Sequence, residues 1–301
     1  MKILDFLFFG RPLLLIPVWT VYIHCHAKLH HTPRFNTDIN PFEIVDLVAL
    51  SLIFMGTYVV NQIFDIESDR LNNKLFFLPR QIISVKTAWI YYVLLSIAGI
   101  AIAGMFSVPG AFIIISLIIL GLLYSIPIVR LKDRPVSGLL ANAVAYGFLV
   151  PMMTGIIDVW GYSGIIAIPY FLAIAAGYIL TTIPDRDGDA ASGKKTVAVI
   201  LGETSAIWLA LLVTIAAGAA SFLSDNIDML FVSAITVGCL LALLFGRSKR
   251  LVLFSCKFPI LLMTTFAASY LPVYLIFLLL TIALTKFYYK KRFDFNYPEL
   301  S

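Results

Sequence analysis

The stretch LVALSLIFMGTYVVNQIFDIESDR, residues 47–70, joins a long apolar run to a polar end. The apolar run has no charged side chain over residues 47–64. Because a helix needs about 20 mostly apolar residues to cross the hydrocarbon core of a bilayer, this run predicts a membrane-spanning helix. The polar end carries Asn61, Asp65 and Asp69, whose spacing places them on one face of a helix. The stretch therefore predicts a spanning helix that ends in a row of side-chain oxygen atoms.

The composition favours a membrane protein over a soluble domain. Hydrophobic residues make up 60% of the 301 residues, charged residues only 13%, and the mean hydropathy is +0.95. Soluble domains carry about 25% charged residues. Backbone groups inside lipid must pair within their own segment, and the apolar runs are too long for barrel strands, so we predict an all-α fold. This fold is a polytopic transmembrane helical bundle of about nine spans around a central cavity, in one integral domain over residues 1–301.

The apolar runs also set the boundaries of the predicted spans. A further apolar stretch at 251–267 contains Pro259 and runs up to Pro272 without an intervening loop. We expect a partial, surface-lying helix there, although the sequence leaves open whether it crosses the membrane. The predicted spans are residues 11–27, 42–64, 88–106, 110–129, 138–157, 163–183, 205–223, 229–246 and 268–288.

The distribution of Lys and Arg between the spans predicts the orientation. Loops after the even-numbered spans hold most of these residues, whereas loops after the odd-numbered spans contribute only Lys28 and Arg34. Cytoplasmic loops carry the excess of positive charge, so we expect the N-terminus and the even-numbered loops in the cytoplasm. This bias accounts for the net positive charge, so the charge does not indicate a nucleic-acid partner. We expect the protein to contact membrane lipid. A basic group after the last span disagrees with this count: Lys286, Lys290, Lys291 and Arg292.

A second acidic stretch follows the sixth predicted span. The sequence TTIPDRDGDAASGKKT, residues 181–196, gathers Asp185, Asp187 and Asp189 on the same predicted side of the membrane as the first set. Like charges this close repel unless cations lie between them. Carboxylate and amide oxygens without His or thiolate ligands suit Mg²⁺, which commonly binds through one or two carboxylates plus substrate phosphates. Solvated loops are the alternative, but two matched stretches on one side favour a metal site.

These motifs resemble those of the UbiA superfamily of intramembrane prenyltransferases. Residues 61–69, N-Q-x-x-D-x-x-x-D, resemble the family's first signature, N-D-x-x-D-x-x-x-D, and DRDGDAASGKKT resembles the second aspartate motif with its trailing G-x-x-T. Between them, YSIPIVRLK at 124–132 is similar to the family's Tyr-Ser-x-Pro segment with basic residues behind it. The resemblance covers nearly the whole chain. Gln62 departs from the family, because it stands where aspartate is usual and supplies no negative charge.

The resemblance implies an Mg²⁺-dependent prenyltransferase. In such a reaction an allylic prenyl diphosphate loses its diphosphate, and a lipophilic or aromatic acceptor captures the allylic cation. Two metal ions would neutralise the departing diphosphate. Asn61, Asp65 and Asp69 would bind one Mg²⁺ ion, and Asp185 and Asp189 the other, so that the four aspartates act as catalytic carboxylates. Asp187, which lies between the last two, would point away.

Further polar side chains are candidates for binding the substrates. Cationic groups should complete the diphosphate site, since charge-assisted bonds to phosphate oxygens are strong. The alternative role of these cations is to anchor the membrane topology. The alternative role of a polar pair within a span is an interhelical hydrogen bond. The candidates are Asn61, Lys74, Tyr124, Arg130 and Lys132 at the diphosphate, Asn142 and Tyr146 at the acceptor, and Arg11 at the entry of the first span.

Other functions remain open at this stage. A membrane terpene cyclase would share the architecture, with the substrate's own double bond attacking the cation. A secondary transporter fits less well, because transporter sites tend to lie near the bilayer midplane and the charge here lies at helix ends. His26 and His30 have a spacing that can bind a transition metal, but no carboxylate accompanies them, and we interpret them as interfacial. The acceptor, the prenyl length and the oligomeric state are not determined by the sequence.

Overall fold

The computed structural model describes residues 2–38, 41–71, 77–155, 162–246 and 248–298. Over these ranges the chain is helical and contains no β-strand, which confirms the all-α prediction. The α-helices, in chain order, are α1 (Lys2–Phe9), α2 (Ile16–Leu29), α3 (Pro41–Phe64), α4 (Ile66–Leu71), α5 (Val85–Phe106), α6 (Val108–Ser125), α7 (Pro135–Val144), α8 (Val150–Met152), α9 (Tyr162–Thr181), α10 (Arg186–Ala191), α11 (Val197–Leu201), α12 (Glu203–Leu223), α13 (Ile227–Phe245), α14 (Lys249–Tyr270) and α15 (Pro272–Phe293). A π-helical turn, Ala145–Leu149, joins α7 to α8, and 3₁₀ turns lie at Pro12–Leu15, Leu131–Asp133 and Met153–Gly155.

The part of the chain that the structure describes has 9 helical segments long and apolar enough to cross a membrane, which agrees with the predicted polytopic bundle. A bent pair, Ile3–Phe9 with Pro12–Leu29, passes the same test and raises the number to 10 if it forms one span. The nine segments are Glu43–Phe64, Val85–Phe106, Val108–Ser125, Pro135–Gly155, Gly164–Thr181, Glu203–Leu223, Ile227–Phe245, Arg250–Tyr270 and Pro272–Phe293.

The first predicted span, residues 11–27, corresponds to the Pro12–Leu29 part of the bent pair, which meets the preceding helix, Ile3–Phe9, at an angle of 43°. Arg11 adopts the left-handed conformation, with φ 56°, which ends α1. Pro12 begins the next turn, where its fixed φ is suitable and its missing amide hydrogen costs nothing. Gly10 brings this bend close to α3, because a Cβ atom at Gly10 would lie 2.3 Å from Met55 Cε.

The stretch at 251–267 differs from our expectation of a partial helix. It lies within α14, a continuous helix of 22 residues that includes Pro259. Proline is tolerated in spanning helices because neighbouring groups satisfy the backbone bond that it removes. Pro272 instead occupies the first turn of α15, so it separates two helices without a long loop. Both helices are long and apolar enough to span a membrane.

The chain forms two compact units, and each is described by itself. The first unit contains Met1–Trp19, Pro33–Ile118 and Ala268–Ser301. In it α3 packs along α5, and Gly99 permits the approach, since a Cβ atom there would lie 2.5 Å from Ile53 Cδ1. The predicted single domain and its central cavity stay predictions.

Within the first unit, the N-terminal helix is held against the C-terminal one. Arg292 donates from Nε and Nη2 to both oxygens of the buried Asp5 carboxylate, each at 3.1 Å. The Tyr288 hydroxyl donates to the same carboxylate, and its ring stacks on Phe8 with centroids 3.9 Å apart. A buried carboxylate needs such partners, because an isolated one is costly to desolvate. These contacts place the basic end of α15 next to α1.

The second unit contains Thr20–Thr32 and Ile119–Ala267. Its helices α9, α12 and α13 pack in sequence, and their buried apolar residues form a core that includes Ile183 and Val197. These two residues stand on either side of the second acidic stretch. The Ala198 amide also donates to Thr182 Oγ1 at 3.3 Å. The core therefore anchors both ends of the segment that carries Asp185 and Asp189.

The histidines lie in the second unit, and two of them have hydrogen-bond partners within it. His24 is fully buried, with Nδ1 2.6 Å from Tyr170 Oη and Nε2 3.3 Å from Asp228 Oδ2. His24 is therefore part of the packed interior of this unit. His30 donates from Nε2 to the Thr154 carbonyl at 3.0 Å, so this nitrogen carries a proton. No group of three or more metal-ligating His, Cys, Asp or Glu side chains occurs among the described residues.

Candidate active site

The first acidic set lies where α3 continues into α4. The Asp65 amide donates to the Asn61 carbonyl at 3.0 Å, and the Asp69 amide donates to the Asp65 carbonyl at 2.8 Å. Helical i to i−4 bonding therefore persists at the junction and keeps the three residues on one face, as predicted. All three are half-buried and make further interactions within the protein. Two carboxylates and one amide are thus aligned at the end of an apolar helix.

Gln62 has a structural partner that the sequence did not indicate. Its buried side chain donates from Nε2 to the Phe9 carbonyl at 2.9 Å and to the Tyr58 carbonyl at 3.1 Å. Phe9 is the last residue of α1, where the carbonyl groups have no partner within the helix. An aspartate cannot donate these bonds when ionised. The departure from the family motif therefore joins α1 to α3.

The second acidic set lies in and beside the short helix α10. The Asp189 amide donates to the Asp185 carbonyl at 2.8 Å, so these residues stand one helical turn apart. Asp187 is 95% exposed and pairs with Arg186, which agrees with the expectation that it points away. Asp189 is only 15% exposed, and its Oδ1 lies 3.3 Å from Lys194 Nζ. This set offers two carboxylates, of which one already has a cationic neighbour.

Tyr124 and Asn142 come together beside this second set. Asn142 Nδ2 donates to Tyr124 Oη at 3.3 Å and to the Gly138 carbonyl at 2.9 Å. Tyr178 also hydrogen-bonds to Tyr124, and Asp189 lies near enough to act on it electrostatically. Gly138 makes room for Tyr178, because a Cβ atom there would lie 2.4 Å from its hydroxyl oxygen. Sequence reasoning missed Tyr178, since tyrosines near the ends of spanning helices are common.

The remaining candidate substrate-binding residues that the structure describes lie outside the helices that carry the two acidic sets. Arg130 Nε lies 2.9 Å from Asp133 Oδ2, so its charge is already paired within the turn after α6. Lys132 and Tyr146 are half-buried and interact within the protein. Arg11 lies near enough to Tyr289 for an electrostatic interaction. Lys74 lies outside the described residues.

The donor set of each unit fits a hard divalent cation. Each set supplies two carboxylates, and the first adds the Asn61 amide oxygen. Mg²⁺ typically takes only one or two protein carboxylates and leaves its other positions to water and substrate phosphates. A set of two carboxylates is therefore enough for Mg²⁺, and a third carboxylate in the same set is not required. The residues present fit Mg²⁺ at either set.

Helices of spanning length with paired carboxylates near their ends define a polytopic membrane protein whose two carboxylate sets are suited to a hard cation. The model of the UbiA prenyltransferase family matches residues 36–247. This match covers more than half of the chain, so the protein belongs to the UbiA prenyltransferase family, a family of integral multi-pass membrane proteins. The family that the motifs suggested is confirmed.

Individual relatives agree with this assignment. Digeranylgeranylglyceryl phosphate synthase of Methanoculleus marisnigri is 32% identical over 233 residues, which cover 73% of this chain and 78% of that protein. The enzyme of the same name from Thermococcus gammatolerans is 34% identical over 182 residues, or 60% of this chain, but the match spans under two thirds of its length, 64%. A UbiA homologue from Archaeoglobus fulgidus, solved bound to GPP and Mg²⁺, has the same fold, with a TM-score of 0.65 at 18% identity over 88% of this chain and 99% of that one.

Proposed function

We propose that this protein transfers a prenyl group from an allylic prenyl diphosphate to a lipophilic or aromatic acceptor, with Mg²⁺ as cofactor. The observation that carries the proposal is a pair of carboxylates one helical turn apart at each of two helix ends, in a chain of the UbiA family. Asn61, Asp65 and Asp69 would hold one ion, and Asp185 and Asp189 a second.

The chemistry needs a stabilised leaving group. When bound, Mg²⁺ supplies positive charge that offsets the charge of the departing diphosphate. The chain's own residues hold that ion, orient the diphosphate and exclude water. Tyr124 is a candidate contact to a phosphate oxygen, because its hydrogen bonds with Asn142 and Tyr178 hold its hydroxyl group beside the second carboxylate set. Apolar helices around the reacting carbon would keep water from the allylic cation.

The acceptor is the second part of the proposal. The two relatives compared above are named digeranylgeranylglyceryl phosphate synthases. We infer that an isoprenoid glyceryl phosphate is the first acceptor to test, with aromatic acceptors beside it. Purified protein should be offered these acceptors and C10 to C20 diphosphates, with products identified by mass spectrometry. A cyclised hydrocarbon formed without acceptor would indicate a cyclase instead.

The carboxylates give the first test of the proposed function. Asp65→Ala and Asp189→Ala should each lower Mg²⁺-dependent diphosphate release at least about 100-fold, because each removes a donor that acts on the developing charge. Phosphate analysis after pyrophosphatase treatment measures the release, and a chelator should abolish it in the wild type.

The matched control for this test is Asp187→Ala. Asp187 lies in the same short helix but its side chain is 95% exposed, so this variant should keep nearly full activity. Thermal unfolding in detergent should be similar for all three variants. Full activity in both ligand variants would rule out the proposed reaction.

We also propose that the N-terminus and both acidic helix ends face the cytoplasm. With the bent pair and α14 each counted as a span, α15 becomes the tenth, and its basic end returns to the side of the N-terminus. The contact between Arg292 and Asp5 is consistent with this count. The basic group that disagreed with the nine-span topology then obeys the positive-inside rule.

A further inference from the structure

Lys194 contacts one of the candidate metal ligands twice. Its Nζ atom lies 3.3 Å from Asp189 Oδ1, with side-chain exposures of 33% and 15%. Its backbone amide donates to the Asp189 carbonyl at 2.9 Å. In the sequence, Lys194 counts only as one of the basic loop residues that predict the membrane orientation. The structure instead places its ammonium group on the carboxylate.

The turn after α10 explains why Lys194 folds back. Gly193 adopts a left-handed conformation with φ 76°, which glycine adopts at little cost at the end of a helix. The Gly193 amide donates to the Ala190 carbonyl at 3.1 Å, and the chain reverses so that Lys194 returns to Asp189. Beyond it, the Lys195 amide donates to the Asp133 carbonyl at 2.9 Å. The backbone on both sides of Lys194 is thus fixed, and its side chain is the part that can move.

A cation on Asp189 Oδ1 competes with the ammonium group at its present position. Two positive groups that share one carboxylate oxygen repel each other. A divalent cation that binds at Oδ1 therefore displaces the Lys194 ammonium group from this oxygen. A lysine head is a compact charge on a flexible four-carbon stem, so it can swing without a backbone change. Lysine is also an effective ligand for phosphate oxygens.

We propose that Lys194 is the counter-charge of Asp189 before the cation binds, and that its ammonium group then moves to bind the diphosphate. This inference rests on the proposed function. Lys194 is then a substrate-binding residue that first pairs with Asp189 and afterwards binds the diphosphate. Its position five residues after Asp189 in a fixed turn places the ammonium group within reach of any diphosphate bound through Asp189.

A purely structural ion pair is the alternative explanation. Lys194 follows α10, and a lysine there also stabilises the negative end of a helix. That role predicts a loss of stability and no loss of pyrophosphate affinity. The proposed role instead predicts two affinity changes of opposite sign. Ligand binding, rather than stability, therefore distinguishes the two explanations.

The test measures binding to the purified full chain by isothermal titration calorimetry, first with Mg²⁺ alone and then with inorganic pyrophosphate in excess Mg²⁺. Lys194→Met removes the competitor for Asp189 and should tighten Mg²⁺ binding about two- to fivefold, the range expected for a partly exposed ion pair. The same variant should weaken binding of the Mg²⁺–pyrophosphate complex about tenfold, because a charge-assisted bond is lost. Lys194→Arg should restore pyrophosphate binding in large part.

Lys195→Met is the matched control. It removes the same charge from the next residue, whose side chain is exposed, and should change both affinities little. If Lys194→Met behaves like Lys195→Met, or shifts both affinities in the same direction, the inference is overturned while the proposed function stands. If the wild type shows neither Mg²⁺ binding nor diphosphate release, both fail. Unfolding curves of the variants establish that each is folded when its affinity is measured.

Discussion

At the scale of single residues, Gln62 shows how a departure from a family motif follows from packing. In the motif it replaces a potential metal ligand, yet in the structure its amide satisfies two carbonyl groups at the junction of α1 and α3. Lys194 is the complementary case, since its charge neutralises a carboxylate that the motif does contain. In both cases the role of the residue depends on a partner that the motif does not mention.

Substitutions at Gln62 should destabilise the protein in a definite order. Gln62→Met removes both donors at similar volume and should cost about 1–3 kcal/mol of unfolding free energy. Gln62→Glu should cost more at neutral pH, because a carboxylate would face two carbonyl oxygens. Its stability should rise as the pH falls, since a protonated carboxyl can donate one bond. Thermal unfolding in detergent at several pH values measures this order, and equal stability of all three proteins would contradict it.

At the scale of helices, close backbone approach rather than side-chain interdigitation positions the π-helical turn Ala145–Leu149 against α9. A Cβ atom at Gly147 would lie 2.5 Å from the Phe171 Cα atom and 2.8 Å from the Tyr170 carbonyl oxygen. Backbone atoms cannot rotate out of the way as a side chain can. The turn also carries Tyr146, a candidate acceptor contact, so this approach bears on the site.

Gly147→Ala should therefore destabilise the second unit by about 1–3 kcal/mol, the usual cost of overpacking. Gly177→Ala, on α9 itself, has no atom within 4 Å of the added Cβ atom and should leave stability unchanged or slightly raised. Unfolding temperatures of the two variants in the same detergent test the contrast. Equal unfolding temperatures would show that the helices can separate at no cost.

At the scale of the whole molecule, the number of spans decides where the two ends of the chain lie. Nine spans would place the N-terminus and the C-terminus on opposite sides of the membrane, whereas ten spans would place both on the same side. The proposed topology counts ten, because α14 is continuous and the bent pair of α1 and α2 is taken as one span. The apolar exposed residues on these helices are those expected to face lipid.

A reporter fused after Ser301 tests the topology. We expect a fluorescent protein to be fluorescent there and alkaline phosphatase to be inactive, since the latter needs an oxidising compartment. The same reporters placed in the loop between α12 and α13, near Asp225, should give the opposite result. An active phosphatase at the C-terminus would contradict the ten-span arrangement.

The sequence by itself determined the helical class, most span positions, the family and both acidic sets. Those features follow from local rules, because about 20 apolar residues must form a helix in lipid and a spacing of four aligns side chains. Tertiary structure decided the bend at Arg11, the continuity of α14 and the partners of Gln62, Tyr178 and Lys194. Each of these depends on which groups approach from elsewhere in the chain or on how a turn directs a side chain, and residue spacing alone does not contain that information.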